Sequence, residues 1–243
     1  MDRIAVINNI GFEPFSRQDI VNSAHNLNTE FKDTQLRNLI GNMISNNEIV
    51  RVGRNLYKKA FTSSAKQTYS NKFSTEALEI MRLLDEEYSG IKYQVWELQW
   101  LNEFLNHLVS TNYIFVDVEN DGCEFVYSSL NEEYTGKILL KPTLKELDYY
   151  SGDNTVIIER LISESPKANN NEHGAPLEKI IVELFANKTL AEIISNGDYP
   201  MMIEEMFKKY LINQTKLFRY AKRRNKYEEL VEYIRENTNI KLI

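Results

Sequence analysis

The sequence predicts a chain of mixed α+β and α/β character: an N-terminal winged helix-turn-helix, then an α/β domain with a helical C-terminal portion. Three observations carry this. Within residues 15–59, two helix-like apolar periodicities precede two short extended runs around Gly53-Arg54-Asn55. Residues 60–74 are rich in Ser, Thr, Asn and Lys and poor in apolar side chains. Beyond them helix and strand patterns alternate, and after Pro176 the chain reads as helical almost to its end. The expected division is therefore a winged helix over 1–60, a linker over 61–74 and an α/β domain over 75–243.

In the first part, Ser16 can cap a helix with Ile20, Val21 and Ala24 on one face. A polar break at Asn26 to Lys32 follows. Asp33 or Thr34 then caps a second helix carrying Leu36, Leu39, Ile40, Met43 and Ile44 at spacings of three and four. After Asn46-Asn47, Ile49 to Val52 and Leu56 to Lys59 read as a hairpin with a cationic tip.

In the second part, Thr75 to Tyr88 reads as helix, Lys92 to Trp96 as strand and Leu98 to Leu108 as helix. Tyr113 to Val118 is a β-branched and aromatic strand, followed by a helix over Gly122 to Tyr134 and a short strand at Lys137 to Leu140. A helix from Pro142 through Leu147 and a strand from Thr155 complete a largely parallel or mixed sheet. Glu164 to Ala175, with Pro166, an Asn run and Gly174, reads as a surface loop. Helices are expected from Leu177, over Met202 to Leu211, and as one long final helix over Lys216 to Ile234.

Charge is uneven. Residues 1–60 hold 8 Lys or Arg against 6 Asp or Glu, a net of +2; the rest hold 21 against 29, a net of −8, giving the overall −6. An acidic body repels DNA, so any DNA binding must come from a locally basic face. Turned away from the apolar stripe of the second helix are Thr34, Asn38, Gly41 and Ser45, with Gln35, Arg37 and Asn42 at the margins. Amides pair well with adenine and arginine with guanine, so Thr34, Gln35, Arg37, Asn38 and Asn42 are candidate base-reading residues. Arg51, Arg54, Lys58 and Lys59 on the hairpin, with Arg17 at a helix start, are candidate phosphate contacts. Lys208 to Lys226 holds eight cations and no acid. Its Lys216, Arg219, Lys222, Arg223, Arg224 and Lys226 are a candidate partner or nucleic-acid surface.

Other chemistry is sparse. The lone Cys123 leaves no internal disulfide and no thiolate zinc site. His25, His107 and His173 lie far apart in sequence without metal-ligand spacing. Phosphate-binding, dinucleotide and nucleophile-turn motifs are missing from the sequence, so neither enzyme activity nor a cofactor is expected. Asp117 and Glu119, with Lys141, superficially suggest a nuclease metal site, yet their alternation with Val116 and Val118 more simply makes them the solvent face of a strand. Trp96 and Trp100 read as core anchors, and Glu178 and Glu183 as helix-surface charges. No apolar run is long enough to span a membrane and no signal peptide is legible, so the cytoplasm is the expected location.

The order winged helix, YQVWELQWLNEFLNHL (93–108), YIFVDVE (113–119), IIERLISESP (157–166), APLEKIIVELFANKTL (175–190) and KLFRYAKRRNKYEELVEYI (216–234) resembles the AbiEi-type antitoxins. These are winged-helix transcriptional regulators of type IV toxin–antitoxin systems, bacterial abortive-infection modules of phage defence. The resemblance covers nearly the whole chain and lies in hydrophobic and connection patterns. It implies an autoregulatory repressor that binds inverted repeats in its own operator and counters a neighbouring nucleotidyltransferase-like toxin. DNA contact would fall to residues 34–45 and the wing, and antitoxin activity beyond about residue 75, with the chain a monomer or weak dimer. A ligand-responsive regulator, whose C-terminal domain senses a small molecule, is the alternative from another class.

Overall fold

The computed structural model describes residues 6–7, 9–11, 13–26, 33–45, 48–59, 66–88, 90–133, 137–168 and 171–242; at 33, 34 and 45 it describes the backbone alone. The expected break at 27–32, the Asn46-Asn47 turn and linker residues 61–65 lie outside the described residues. The chain divides into two compact units, one up to residue 67 with 211–213, the other 68–210 with 214–242.

In the first unit, β1 (Phe15–Ser16) leads into α1 (Arg17–Asn26), followed by α2 (Asp33–Ser45), β2 (Ile49–Gly53) and β3 (Leu56–Lys59). Ser16 closes the start of α1 reciprocally. Its backbone N–H donates to Asp19 Oδ2 at 2.7 Å, and its Oγ accepts from Asp19 N at 3.4 Å. The strands form an antiparallel sheet in the order β1-β3-β2, with a register shift between Arg51 and Gly53. Asn55 takes φ 59°, the left-handed conformation that the tight hairpin tip requires and that Asn tolerates better than most residues. Phe15, Ile20, Ala24, Leu36, Leu39, Ile40, Met43, Ile49 and Tyr57 are buried together with Val6, Ile7 and Ile10.

The second unit is built on a four-stranded mixed sheet, order β4-β5-β7-β6, from β4 (Tyr93–Glu97), β5 (Tyr113–Val118), β6 (Ile138–Leu140) and β7 (Thr155–Arg160). β4 runs antiparallel to β5, while β5, β7 and β6 are parallel. Strand alternation gives the two faces different company. Val95, Val116, Val118, Val156 and Ile158 pack against α3 (Thr75–Glu87) and α4 (Cys123–Glu133). The side chains of Gln94, Asp117 and Glu159 instead meet α6 (Leu177–Ala186) or the residue that ends it. α5 (Leu144–Tyr150) joins β6 to β7; α7 (Lys188–Ile193), α8 (Tyr199–Lys209), α9 (Gln214–Arg223) and α10 (Tyr227–Asn237) complete the chain. Because the chain leaves β5 toward one face and β7 toward the other, their carboxyl ends flank a crevice of about 760 Å³.

Four expectations are corrected. Residues 98–108 form only a 3-10 turn over Leu98–Glu103; the Asn102 carboxamide grips the Val109 backbone in both directions, which holds the chain in an irregular path. The final helix is two helices. Asn225, at φ 55°, ends α9 with paired bonds from Asn225 N to Lys222 O and from Lys226 N to Ala221 O, a complete Schellman closure. The far end of the presumed linker belongs to the second unit: the Tyr69 and Phe73 rings meet Trp100 edge-on at 6.4 and 5.2 Å. Asp117, Glu178 and Glu183 are buried, not solvent-facing. Trp96 and Trp100 are buried core residues.

Candidate nucleic-acid interface

Four arginine side chains of the first unit gather at one place. Arg17 from the first position of α1, Arg37 from α2, and Arg51 and Arg54 from the hairpin line a concavity of about 270 Å³ with Ile40, Asn55 and Tyr57. No carboxylate lines it among the described residues. Arg51 is steadied by its Nε donating to Gly53 O at 3.2 Å. Beside it, α2 exposes Gln35, Arg37, Asn38, Gly41 and Asn42, while Leu36, Leu39, Ile40 and Met43 are buried. The apolar stripe thus fixes which face of α2 is offered to solvent. Gly41 has nothing within 4 Å of where a Cβ would stand. A glycine in mid-helix costs stability, and no packing contact here explains it.

Arg17, Arg37, Arg51 and Arg54 therefore come together, with Gln35, Asn38 and Asn42 exposed on α2. The Thr34 side chain lies outside the described residues. Lys58 sits opposite Val50 and Tyr57 opposite Arg51, so strand alternation puts Lys58 on the other face of the hairpin from the arginines. Lys59 is also placed differently from a phosphate contact. Its Nζ donates to Ile10 O at 2.6 Å and its N–H to Glu13 Oε1 at 2.9 Å, tying the sheet to the preceding segment. The sequence reading missed Tyr57 and Asn55 as lining residues; the alternation within Leu56 to Lys59 and the Asn-containing turn were the available signals.

The cations near the C-terminus are engaged one by one. Arg219 lies 3.9 Å from Glu164, and Arg223 donates to Ser163 Oγ at 2.6 Å. Lys222 sits over the Tyr227 ring at 4.6 Å and Lys226 pairs with Glu229 at 2.6 Å. Lys216 is half-buried at the start of α9. Arg224 turns inward to Glu183 at 2.8 Å. Arg219, Arg224 and Lys226 of this acid-free stretch thus meet carboxylates from outside it, and Lys222 and Arg223 meet a ring and a hydroxyl.

Arg224 belongs to a buried polar network that the sequence reading did not anticipate. Gln94, Asp117 and Glu159 are neighbours across β4, β5 and β7. Lys179 donates to Asp117 Oδ2 at 2.5 Å and to Gln94 Oε1 at 2.9 Å, and Trp96 Nε1 adds a bond to the same Asp117 oxygen at 3.2 Å. Tyr220 donates to Glu183 Oε1 at 2.5 Å, and Asn187 to Glu159 Oε2 at 2.7 Å. Three carboxyl groups thus face two cations. Burial, with the negative charge of Asp117 and Glu183 nearby, pushes the Glu159 carboxyl up to about 7. Burial also raises the Glu183 carboxyl despite Arg224 and Lys179, and drives the Tyr220 phenol far above its ordinary value. The signal that was present is Glu178, Lys179 and Glu183, three charged residues in the stretch 177–184, every residue of which is buried.

The nuclease alternative finds little geometry. Asp117 is committed to Lys179 and Trp96, and Glu119 Oε1 accepts from Lys92 N at 3.1 Å. No group of three or more His, Cys, Asp or Glu is placed to hold a metal ion among the described residues. Burial raises the Cys123 thiol, whose sulfur contacts the Val118 carbonyl at 3.5 Å. No described helix is long and apolar enough to cross a membrane.

The fold is thus a mixed α/β chain of two units, the first carrying an arginine concavity with no carboxylate among its described lining residues, beside an amide-bearing helix face. Residues 35–240 match a family of unknown function (DUF6577), and the chain belongs to that family. No curated protein matches it.

Proposed function

We propose that the protein is an antitoxin and autoregulatory transcriptional repressor whose N-terminal unit acts as a winged helix on operator DNA. The observation that carries this reading is the convergence of Arg17, Arg37, Arg51 and Arg54 on one concavity lined by no described carboxylate. Guanidinium groups in that arrangement suit phosphate, which supplies most of the affinity for DNA. The adjoining face of α2 offers Gln35, Asn38 and Asn42 for base edges. Gly41, open to solvent in mid-helix, would let a ligand's backbone approach closely.

The second unit would then counter a nucleotidyltransferase-like toxin from a neighbouring gene. The resemblance to AbiEi-type antitoxins supports this half. Repression would be mechanical: two copies on an inverted repeat exclude polymerase. A ligand-responsive regulator is the second reading, favoured by the crevice at the carboxyl ends of β5 and β7.

Titrating the protein against DNA from its own upstream region, beside a scrambled duplex at two salt concentrations, tests the repressor half. Tighter and salt-sensitive binding to the native fragment is expected. Equal or absent binding would make the first unit a protein-contact module. Co-expression with the neighbouring gene tests the antitoxin half, with restored growth as the expected outcome. Operator affinity that changes with a metabolite, without such protection, would favour the second reading.

A further inference from the structure

The crevice between β5 and β7 lies where open α/β sheets form ligand sites. Chain segments that leave adjacent parallel strands toward opposite faces cannot close over the strand ends, and they leave a cleft lined by the first residues of each connection. Here the connection after β5 (Glu119, Asn120) runs into α4 on one face. That after β7 (Leu161 to Ser165) leads toward α6 on the other. Leu161 N–H bonds back to Val118 O at 2.7 Å, which fixes the junction from which the two segments part. The volume of about 760 Å³ falls within the range of small-molecule sites.

The wall chemistry selects a charge sign. Each lining carboxylate has a local partner. Asp85 accepts from the Tyr93 hydroxyl at 2.6 Å and lies 3.3 Å from His173 Nε2. Glu119 accepts from Lys92 N, Glu164 faces Arg219, and Glu172 faces Lys167 at 3.5 Å. Among the described residues the lining cations Lys92 and Arg160 make no ion pair, against one such lining carboxylate, Glu119, so the unpaired excess is positive. The crevice also offers apolar contact on Ile91, Leu161 and Ile162, and one wall is stiffened by the Tyr93 and His173 rings, stacked at 4.0 Å and 4°.

We propose that this crevice is a binding site for a small organic anion, its carboxylate or phosphate head held by Arg160 and Lys92 and its apolar body lying along Ile91 and Leu161. Arg160 supplies a planar fork suited to either head group, and Lys92 a second charge on the crevice wall. The site is separate from the arginine concavity of the first unit and stands whether or not that concavity binds DNA.

The test is residue-resolved amide NMR of the full chain titrated with benzoate, phenyl phosphate and the neutral benzyl alcohol. An anion also suits the first-unit arginines, so the readout must separate the two places. The expected result is saturable shifts at Asn120, Ser163 and Ser165 with at least one anion and none with benzyl alcohol. Those shifts should vanish in Arg160→Ala/Lys92→Ala, while any shifts around Arg37 and Arg54 remain. Which anion shifts them assigns the head group. Three results would overturn the proposal: unmoved crevice amides with both anions, equal shifts with benzyl alcohol, or undiminished shifts in the double variant. An unchanged amide spectrum away from the crevice shows that the double variant folds.

Discussion

The two units use the same side chains in opposite ways. In the first, four arginines from three elements converge on a concavity with no described carboxylate along it. In the second, the cations of an acid-free sequence run are matched, Arg224 to buried Glu183, Arg219 to Glu164 and Lys226 to Glu229. In sequence the C-terminal stretch is the more cationic, eight cations without an acid against eight with six acids in residues 1–60. The difference is what the fold brings opposite them. Four guanidinium groups at one concavity, with no described carboxylate in its lining, make the N-terminal cluster the better binding surface for an anion.

The comparison breaks most visibly at the buried pair. Lys179→Met should destabilise the fold by about 3–5 kcal/mol, because Asp117 is left charged and buried. Chemical unfolding measures this, and Asp117→Asn in the same chain should recover part of the loss. If Lys179→Met behaved like an exposed lysine substitution, the network would not hold the second unit together.

Glu159 sharpens the contrast through pH. Its folded carboxyl titrates at about 7, above the 4.5 of an unperturbed group, so the native state holds the proton more tightly than the unfolded chain. Its contribution to stability is therefore fullest below about pH 4.5 and is lost as pH rises through 7, by on the order of 3 kcal/mol. Glu159→Gln keeps the shape without the titration. Thermal unfolding from pH 5 to 9 should show the parent losing stability relative to this variant across that window, whereas parallel curves would place the proton elsewhere.

In the first unit the expected effects on stability are smaller. Ser16→Ala removes the cap of α1 and should cost about 1 kcal/mol. Gly41→Ala should do the reverse, stabilising α2 by roughly 0.5–1 kcal/mol because a Cβ there meets nothing. The same change should weaken operator binding if DNA comes close to that face. A Gly41→Ala variant that is more stable and binds DNA as tightly as the parent would remove the functional reason for the glycine.

Local patterns were the legible part. The Ser16 cap, the stripe of Leu36, Leu39, Ile40 and Met43, and the strand at Tyr113–Val118 all follow from spacing that acts over a few residues. Pairing between distant elements was not legible. Alternation made Asp117 a solvent-facing residue, because nothing in its neighbourhood reveals that Lys179, 62 positions later, covers that face of the sheet. Lys59 read as a phosphate contact for the same reason: its partner, the Ile10 carbonyl, is a backbone group 49 residues away. The break between α9 and α10 was written in Asn225, whose left-handed closure competes with an otherwise continuous helical stripe. Convergence of the four arginines was half legible, since their types and elements were identifiable but their common concavity depends on how α1, α2 and the hairpin pack.

The most direct measurement compares operator binding of Arg51→Ala/Arg54→Ala with that of Lys222→Ala/Arg223→Ala over a range of salt concentrations. Removing two phosphate contacts should flatten the slope of log affinity against log salt by about 1.8, at about 0.9 per contact. The C-terminal pair should leave the slope unchanged. Equal slopes for both variants and the parent, or a loss confined to the C-terminal pair, would contradict the assignment of DNA binding to the N-terminal arginines.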